Sequence, residues 1–114
     1  MKPIKEYIDE IRREAMGDID PARATLLLQK LSALLGSVNE EWIIAEMTYN
    51  RFYEAMTDKY EKVSEARAKA KASDEYEQKL RKEGVLDVTK ELINSMKYVI
   101  KLKMDERRES RFQT

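Results

Sequence analysis

Only five of the 114 residues are breakers of regular structure: Pro3, Gly17, Pro21, Gly36 and Gly84. The stretches between them are rich in Ala, Leu, Glu, Lys and Arg, the residues that cost least to place in a helix. Turns and strand ends draw heavily on glycine and proline, so a chain this poor in both is predicted to be all-α, with the breakers marking its joints.

Pro3 suits a first helical position. Ile4, Tyr7, Ile8, Ile11, Ala15 and Met16 then recur at spacings of three and four until Gly17, which predicts a helix over 3–16 with a left-handed glycine stop. Asp20 before Pro21 reads as a cap followed by a proline at the first helical position. Ala24, Leu27, Leu28, Leu31, Leu34 and Leu35, broadened by Leu26, form one apolar face up to Gly36, which predicts a helix over 21–35.

Ser37-Val38-Asn39-Glu40 has the capping-box pattern, so a new helix is expected to begin there. From Trp42 the row Ala45, Tyr49, Phe52, Met56, Val63, Ala66 and Ala70 keeps helical spacing, interrupted once at Lys59, where Tyr60 substitutes from the next position. The next breaker is Gly84, so this helix is expected over 40–83; a break at Ser73-Asp74-Glu75, a cap with an acidic first turn, is the alternative. Asp87 then caps a last helix carrying Val88, Leu92, Met96, Val99, Ile100 and Met104, fraying near Ser110 and leaving Phe112-Gln113-Thr114 as a tail.

With short turns at Gly36 and Gly84, the 21–35 helix is expected to double back along 40–56 and the last helix along 60–83. At this length one domain, 1–114, is the default. It reads as elongated, with a three-helix head over 1–58, containing Trp42, Tyr49, Phe52 and Tyr53, and a long antiparallel helical hairpin over 59–114, a coiled-coil-like stalk. The stalk seam is thin. At about 25 cal/mol per Å² of apolar surface, an alanine stripe does not offset the roughly 1–2 kcal/mol lost for each residue ordered. A homodimer or higher oligomer is therefore expected, with Leu92, Met96, Val99, Ile100 and Leu102 of the last helix and Val63, Ala66 and Ala70 of the long one as candidate interface.

The chain has neither Cys nor His. That removes disulfides, thiolate nucleophiles, imidazole bases and the usual zinc and facial-triad ligand sets. No catalytic residue, cofactor site or metal site is nominated, and an enzyme is not expected. Carboxylates are the remaining metal-binding groups. Helical Mg²⁺-dependent nucleotide pyrophosphohydrolases use acidic pairs from neighbouring helices, and Glu6 with Asp9, Asp58 with Glu61, and Glu106 with Glu109 each sit three apart. These pairs fall at dispersed places and read first as solvated helix faces. The start, Met1 to Glu6, lacks an apolar signal region, and no run approaches the ~20 apolar residues of a membrane span. A cytoplasmic protein without a membrane partner is expected.

Charges are equal in number, 22 basic and 22 acidic, but unevenly placed: two basic residues against six acidic over 37–61, and six against three over 97–114. Lys97, Lys101, Lys103, Arg107, Arg108 and Arg111, with Tyr98 as a stacking ring, are candidate nucleic-acid contacts. Lys97, Lys101 and Arg108 share one face and Lys103 and Arg107 an adjacent one. Asp105, Glu106 and Glu109 among them give the competing reading of intrahelical ion pairs. Trp42, with Ile43 and Ile44, is a candidate hot spot for a protein partner, but at the start of a helix whose seam it begins it reads first as a core anchor.

Glu65-Ala66-Arg67-Ala68-Lys69-Ala70-Lys71-Ala72-Ser73, Leu92-Ile93-Asn94-Ser95-Met96-Lys97-Tyr98 and Glu106-Arg107-Arg108-Glu109 give residues 60–110 a texture that resembles small helical proteins of tailed-phage and prophage early regions. Proteins of that kind often accompany single-strand annealing and other recombination genes. The resemblance implies a bacterial or phage cytoplasmic setting and nucleic-acid metabolism, and it assigns no functional residue. The expected function is that of a non-enzymatic, oligomeric helical accessory protein acting through protein contacts. The alternative is a single-stranded nucleic-acid-binding accessory using the basic C-terminal helix, with a Mg²⁺-dependent pyrophosphohydrolase as a distant third.

Overall fold

A computed structural model describes residues 2–112, with side chains described for 2–109. The chain is all-α: α1 (Ile4–Ala15), α2 (Pro21–Lys59), α3 (Val63–Lys71) and α4 (Asp74–Phe112). Gln113 and Thr114 of the expected tail lie outside the described residues.

One joint forms where capping chemistry predicts it, at Asp20, and another forms at Ser73, the alternative to the helix expected over 40–83, which is broken both there and after Lys59. Asp20 caps α2, its Oδ1 accepting the Arg23 amide at 2.8 Å. This satisfies one of the amides a helix start leaves without a partner. Across the same joint the Arg23 guanidinium pairs with the Glu14 carboxylate, Nη2 to Oε2 at 2.9 Å, which holds Glu14 below the usual carboxylate range. Ser73 caps α4, its Oγ accepting the Tyr76 amide at 3.2 Å and donating to the Ala70 carbonyl. Asp74, Glu75 and Glu77 follow in the first turn, where negative charge suits the helix dipole.

The boundaries predicted at Gly36 and Gly84 require correction. Both residues lie inside 39-residue helices, and no described residue, glycine or otherwise, has a positive φ. Ser37 therefore caps nothing, and the 21–35 segment does not fold back on 40–56. The cause is the phase of the apolar row. Ala24, Leu27, Leu31 and Val38 are all buried in α2, and Val38 follows Leu31 by two turns, so the row crosses Gly36 without a slip. A glycine inside a helix costs about 1 kcal/mol relative to alanine, whereas burying an aliphatic side chain such as Val38 gains about 1.5–3 kcal/mol. In α4, half-buried Tyr76, Lys79 and Lys82 lead into buried Leu86, Thr89, Ile93 and Met96 at spacings of three and four, so one side of the helix stays covered across Gly84. The turn comes instead at Tyr60-Glu61-Lys62, just past Lys59, where the row loses its phase.

Contacts divide the chain into two compact units, Met1–Gly36 with Asp87–Thr114, and Ser37–Leu86. The first contains α1, the start of α2 and the end of α4. Its buried residues are Ile8, Ile11 and Ile19, then Ala24, Leu27 and Leu31, then Thr89, Leu92, Ile93 and Met96. The second contains the rest of α2, α3 and the start of α4. There Val38, Ala66, Ala70 and Leu86 are buried, and Trp42, Tyr49, Phe52, Tyr53, Met56 and Tyr76 are half-buried. The aromatics expected in a head thus belong to this unit. The Tyr49 ring lies 5.3 Å from that of Tyr76 and 6.3 Å from that of Tyr53, with the Lys79 ammonium 4.9 Å from its centroid. Burial, then the neighbouring Tyr76 and Tyr53 hydroxyls, push the Tyr49 hydroxyl above its usual range, Arg67 opposing.

Within each unit taken by itself, segments of α2 and α4 run antiparallel. In the second unit Glu41 meets Lys82 at 3.1 Å and Tyr49 meets Tyr76. In the first, Pro21 lies by Arg107 and Leu28 by Lys101. The antiparallel pairing expected between 60–83 and the last helix is made by α2 and α4 instead.

A Cβ built on Gly36 or Gly84 meets nothing within 4 Å. Gly36→Ala and Gly84→Ala are each expected to stabilise the fold by roughly 0.5–1 kcal/mol in urea titrations. Left-handed stops would instead make both substitutions destabilising.

Candidate functional site

The end of α4 presents its cations on two faces, as their spacing predicts. Lys97, Lys101 and Arg108 rim a shallow groove of about 280 Å³ whose floor is Leu28 of α2 with Ile100 and Met104 of α4, and Asp105 is the one acidic residue beside them. Lys103 and Arg107 lie instead in a wider hollow of about 620 Å³ against Asp18, Asp20 and Glu106, with Ile19 and Pro21. Lys103 also pairs with Glu106 at 3.6 Å. The two basic faces therefore differ in character. One carries three cations against one carboxylate over an apolar floor. The other carries two cations among three carboxylates and is locally neutralised.

Tyr98 is 66% exposed but lies on a third side of α4, by Ala15, Gly17, Ile19, Val99 and Leu102. The ring and the Lys97–Lys101–Arg108 groove are not brought together. The Arg111 side chain lies outside the described residues.

The residues expected to join one chain to another are placed unequally. Leu92, Met96, Ala66 and Ala70 are buried in the single chain, Met96 to 1% exposure. Their surfaces are already covered, because α2 and α4 pair within each unit and the alanine seam of α3 is buried within the second unit. Val99 and Ile100 are half-buried, while Val63 and Leu102 are exposed.

Three large apolar residues on α2 are exposed in its second-unit segment: Ile43 at 41%, Ile44 at 56% and Met47 at 50%. Half-buried Trp42, Ala45, Tyr49, Phe52 and Met56 define the inner side of this segment, and Ile44 and Met47 project from the opposite side. Sequence reading grouped Ile43 and Ile44 with Trp42. What separates them is helical phase: each residue turns about 100°, so Ile44 points away from the row that Trp42 begins.

Trp42 itself is half-buried, and its Nε1 is shielded from solvent without a hydrogen-bond partner among the described residues. Among the described residues no three acidic side chains are grouped to hold a metal ion, so the pairs Glu6 with Asp9, Asp58 with Glu61, and Glu106 with Glu109 do not converge. No described helix is long and apolar enough to cross a membrane. In comparisons with known proteins the chain matches no family model, no curated protein and no solved structure.

An unpartnered buried N–H costs about 1–3 kcal/mol, so Trp42→Phe is expected to change stability by less than about 1 kcal/mol, the lost area balanced by removal of that penalty. Trp42→Ala is expected to cost on the order of 3 kcal/mol. Equal losses in urea denaturation would show that the indole N–H is needed.

Proposed function

We propose that this chain is a non-enzymatic helical accessory protein that assembles with itself and works by presenting helix faces to other protein surfaces. The observation that carries this reading is the exposed group Ile43, Ile44 and Met47 on the outer side of α2. Large aliphatic side chains at half exposure on a helix face gain free energy only when a second surface covers them. The methionine adds an unbranched, adaptable contact of the kind that interaction surfaces favour. A bacterial or phage cytoplasmic setting is part of this reading, on the resemblance in texture of residues 60–110 to phage and prophage early-region proteins. Sedimentation velocity at micromolar concentration tests the reading: a mass above the 13.4 kDa of one chain is expected, and 13.4 kDa throughout would overturn self-assembly.

A second reading has an observation of its own. Lys97, Lys101 and Arg108 rim one groove with a single carboxylate, an arrangement suited to a phosphate backbone. Under this reading fluorescence anisotropy with oligo-dT gives binding that weakens steeply with salt and drops at least about tenfold in Lys101→Glu/Arg108→Glu. Binding unchanged by that substitution would remove it.

A further inference from the structure

The outer side of α2 carries more than an apolar group. Glu40, Ile44, Met47 and Arg51 follow one another at spacings of four, three and four, the spacing of a coiled-coil seam. All four are exposed, and all belong to the α2 segment of the second unit. Among the described residues neither Glu40 nor Arg51 has an ion-pair partner. The stripe is apolar at its centre and oppositely charged at its two ends. Ile43 flanks the centre.

We propose that this stripe pairs with the same stripe of a second copy of the chain, antiparallel, about a two-fold axis that crosses α2 between Ala45 and Glu46. The inference rests on the self-assembly reading above and names its surface. Residues equidistant from that axis face each other, so Ile44 of each copy meets Met47 of the other, and Glu40 of each copy meets Arg51 of the other. A two-fold interface is self-complementary, so every pair occurs twice.

Charge fixes the direction. A parallel pairing would set Glu40 against Glu40 and Arg51 against Arg51, while the antiparallel one converts both repulsions into attractions. Charge also selects the occupant. Residues 37–61 hold six acidic side chains against two basic ones, which repels a nucleic acid or an anionic lipid surface, whereas between two copies the paired Glu40 and Arg51 set two local attractions against that net repulsion. A second copy brings the arginine that each Glu40 lacks. The burial expected from one helix stripe is at the low end for stable interfaces, so the dimer is expected to be concentration-dependent.

Sedimentation velocity over a concentration series, with far-ultraviolet circular dichroism as the control for folding, tests the pairing. Wild type is expected to approach twice 13.4 kDa as concentration rises. Ile44→Asp/Met47→Asp is expected to remain at 13.4 kDa with unchanged helicity, since both positions are exposed. Glu40→Arg and Arg51→Glu alone are each expected to raise the dissociation constant by roughly tenfold or more. The double variant Glu40→Arg/Arg51→Glu is expected to return to within about threefold of wild type, because it swaps the charges without changing the pairing.

A wild-type dimer whose mass survives Ile44→Asp/Met47→Asp would overturn the α2 surface while leaving self-assembly standing. A double charge variant no tighter than the single ones would overturn the antiparallel register. A wild type at 13.4 kDa at every concentration would overturn the pairing and the self-assembly reading together.

Discussion

The fold depends on an apolar row that keeps helical phase across glycine. Leu31 and Val38 sit on the same side of α2 with Gly36 between them, and in α4 half-buried Tyr76 and Lys79 share a side with buried Leu86 and Thr89 across Gly84. Backbone hydrogen bonding alone does not decide whether a chain turns at a glycine, because the penalty for keeping glycine helical is small. The side chains on either side decide it. Where they stay in phase, a turn would expose residues that a helix buries. Where the phase slips, at Lys59, the helix ends.

This constraint also determines which surfaces are spent and which are left. Because α2 and α4 pair antiparallel within each unit, Leu92 and Met96 are enclosed by their own chain, and Ala66 and Ala70 of α3 are likewise buried. One exposed apolar stripe is on the outer side of α2, where Ile44 and Met47 stand between Glu40 and Arg51. The cations of α4 are divided by the same geometry. Lys103 and Arg107 meet the acidic joint between α1 and α2, whereas Lys97, Lys101 and Arg108 meet apolar Leu28 and keep most of their charge unanswered.

Much of this was legible in the residues. The scarcity of glycine and proline fixed the all-α class. Asp20-Pro21 announced one joint through capping chemistry and Ser73-Asp74-Glu75 offered a second as the alternative to a helix over 40–83, whereas the joint after Lys59 was missed because Tyr60 could bridge the slip in the row. The two-faced division of the basic residues followed from spacing alone. The errors came from giving a local signal precedence over a longer one. Ser37-Val38-Asn39-Glu40 has the composition of a capping box, yet a cap is worth about 1 kcal/mol, less than the burial of Val38 that a continuous helix secures. Gly84 misled in the same way. The exposed stripe on α2 went unread because Ile43 and Ile44 adjoin Trp42 in sequence, while on a helix adjacent residues face different directions.

Continuity of α2 and α4 through their glycines is the claim on which the pairing of helices and the exposure of the α2 stripe both rest, and residue-resolved amide hydrogen exchange measures it directly. Amides of Gly36, Ser37 and Val38, and of Gly84 and Val85, are expected to exchange as slowly as those of the helical residues around them. Exchange at those positions as fast as in the 16–20 joint, with protection resuming only beyond Glu40 and Asp87, would show that the chain turns at its glycines and would contradict the account.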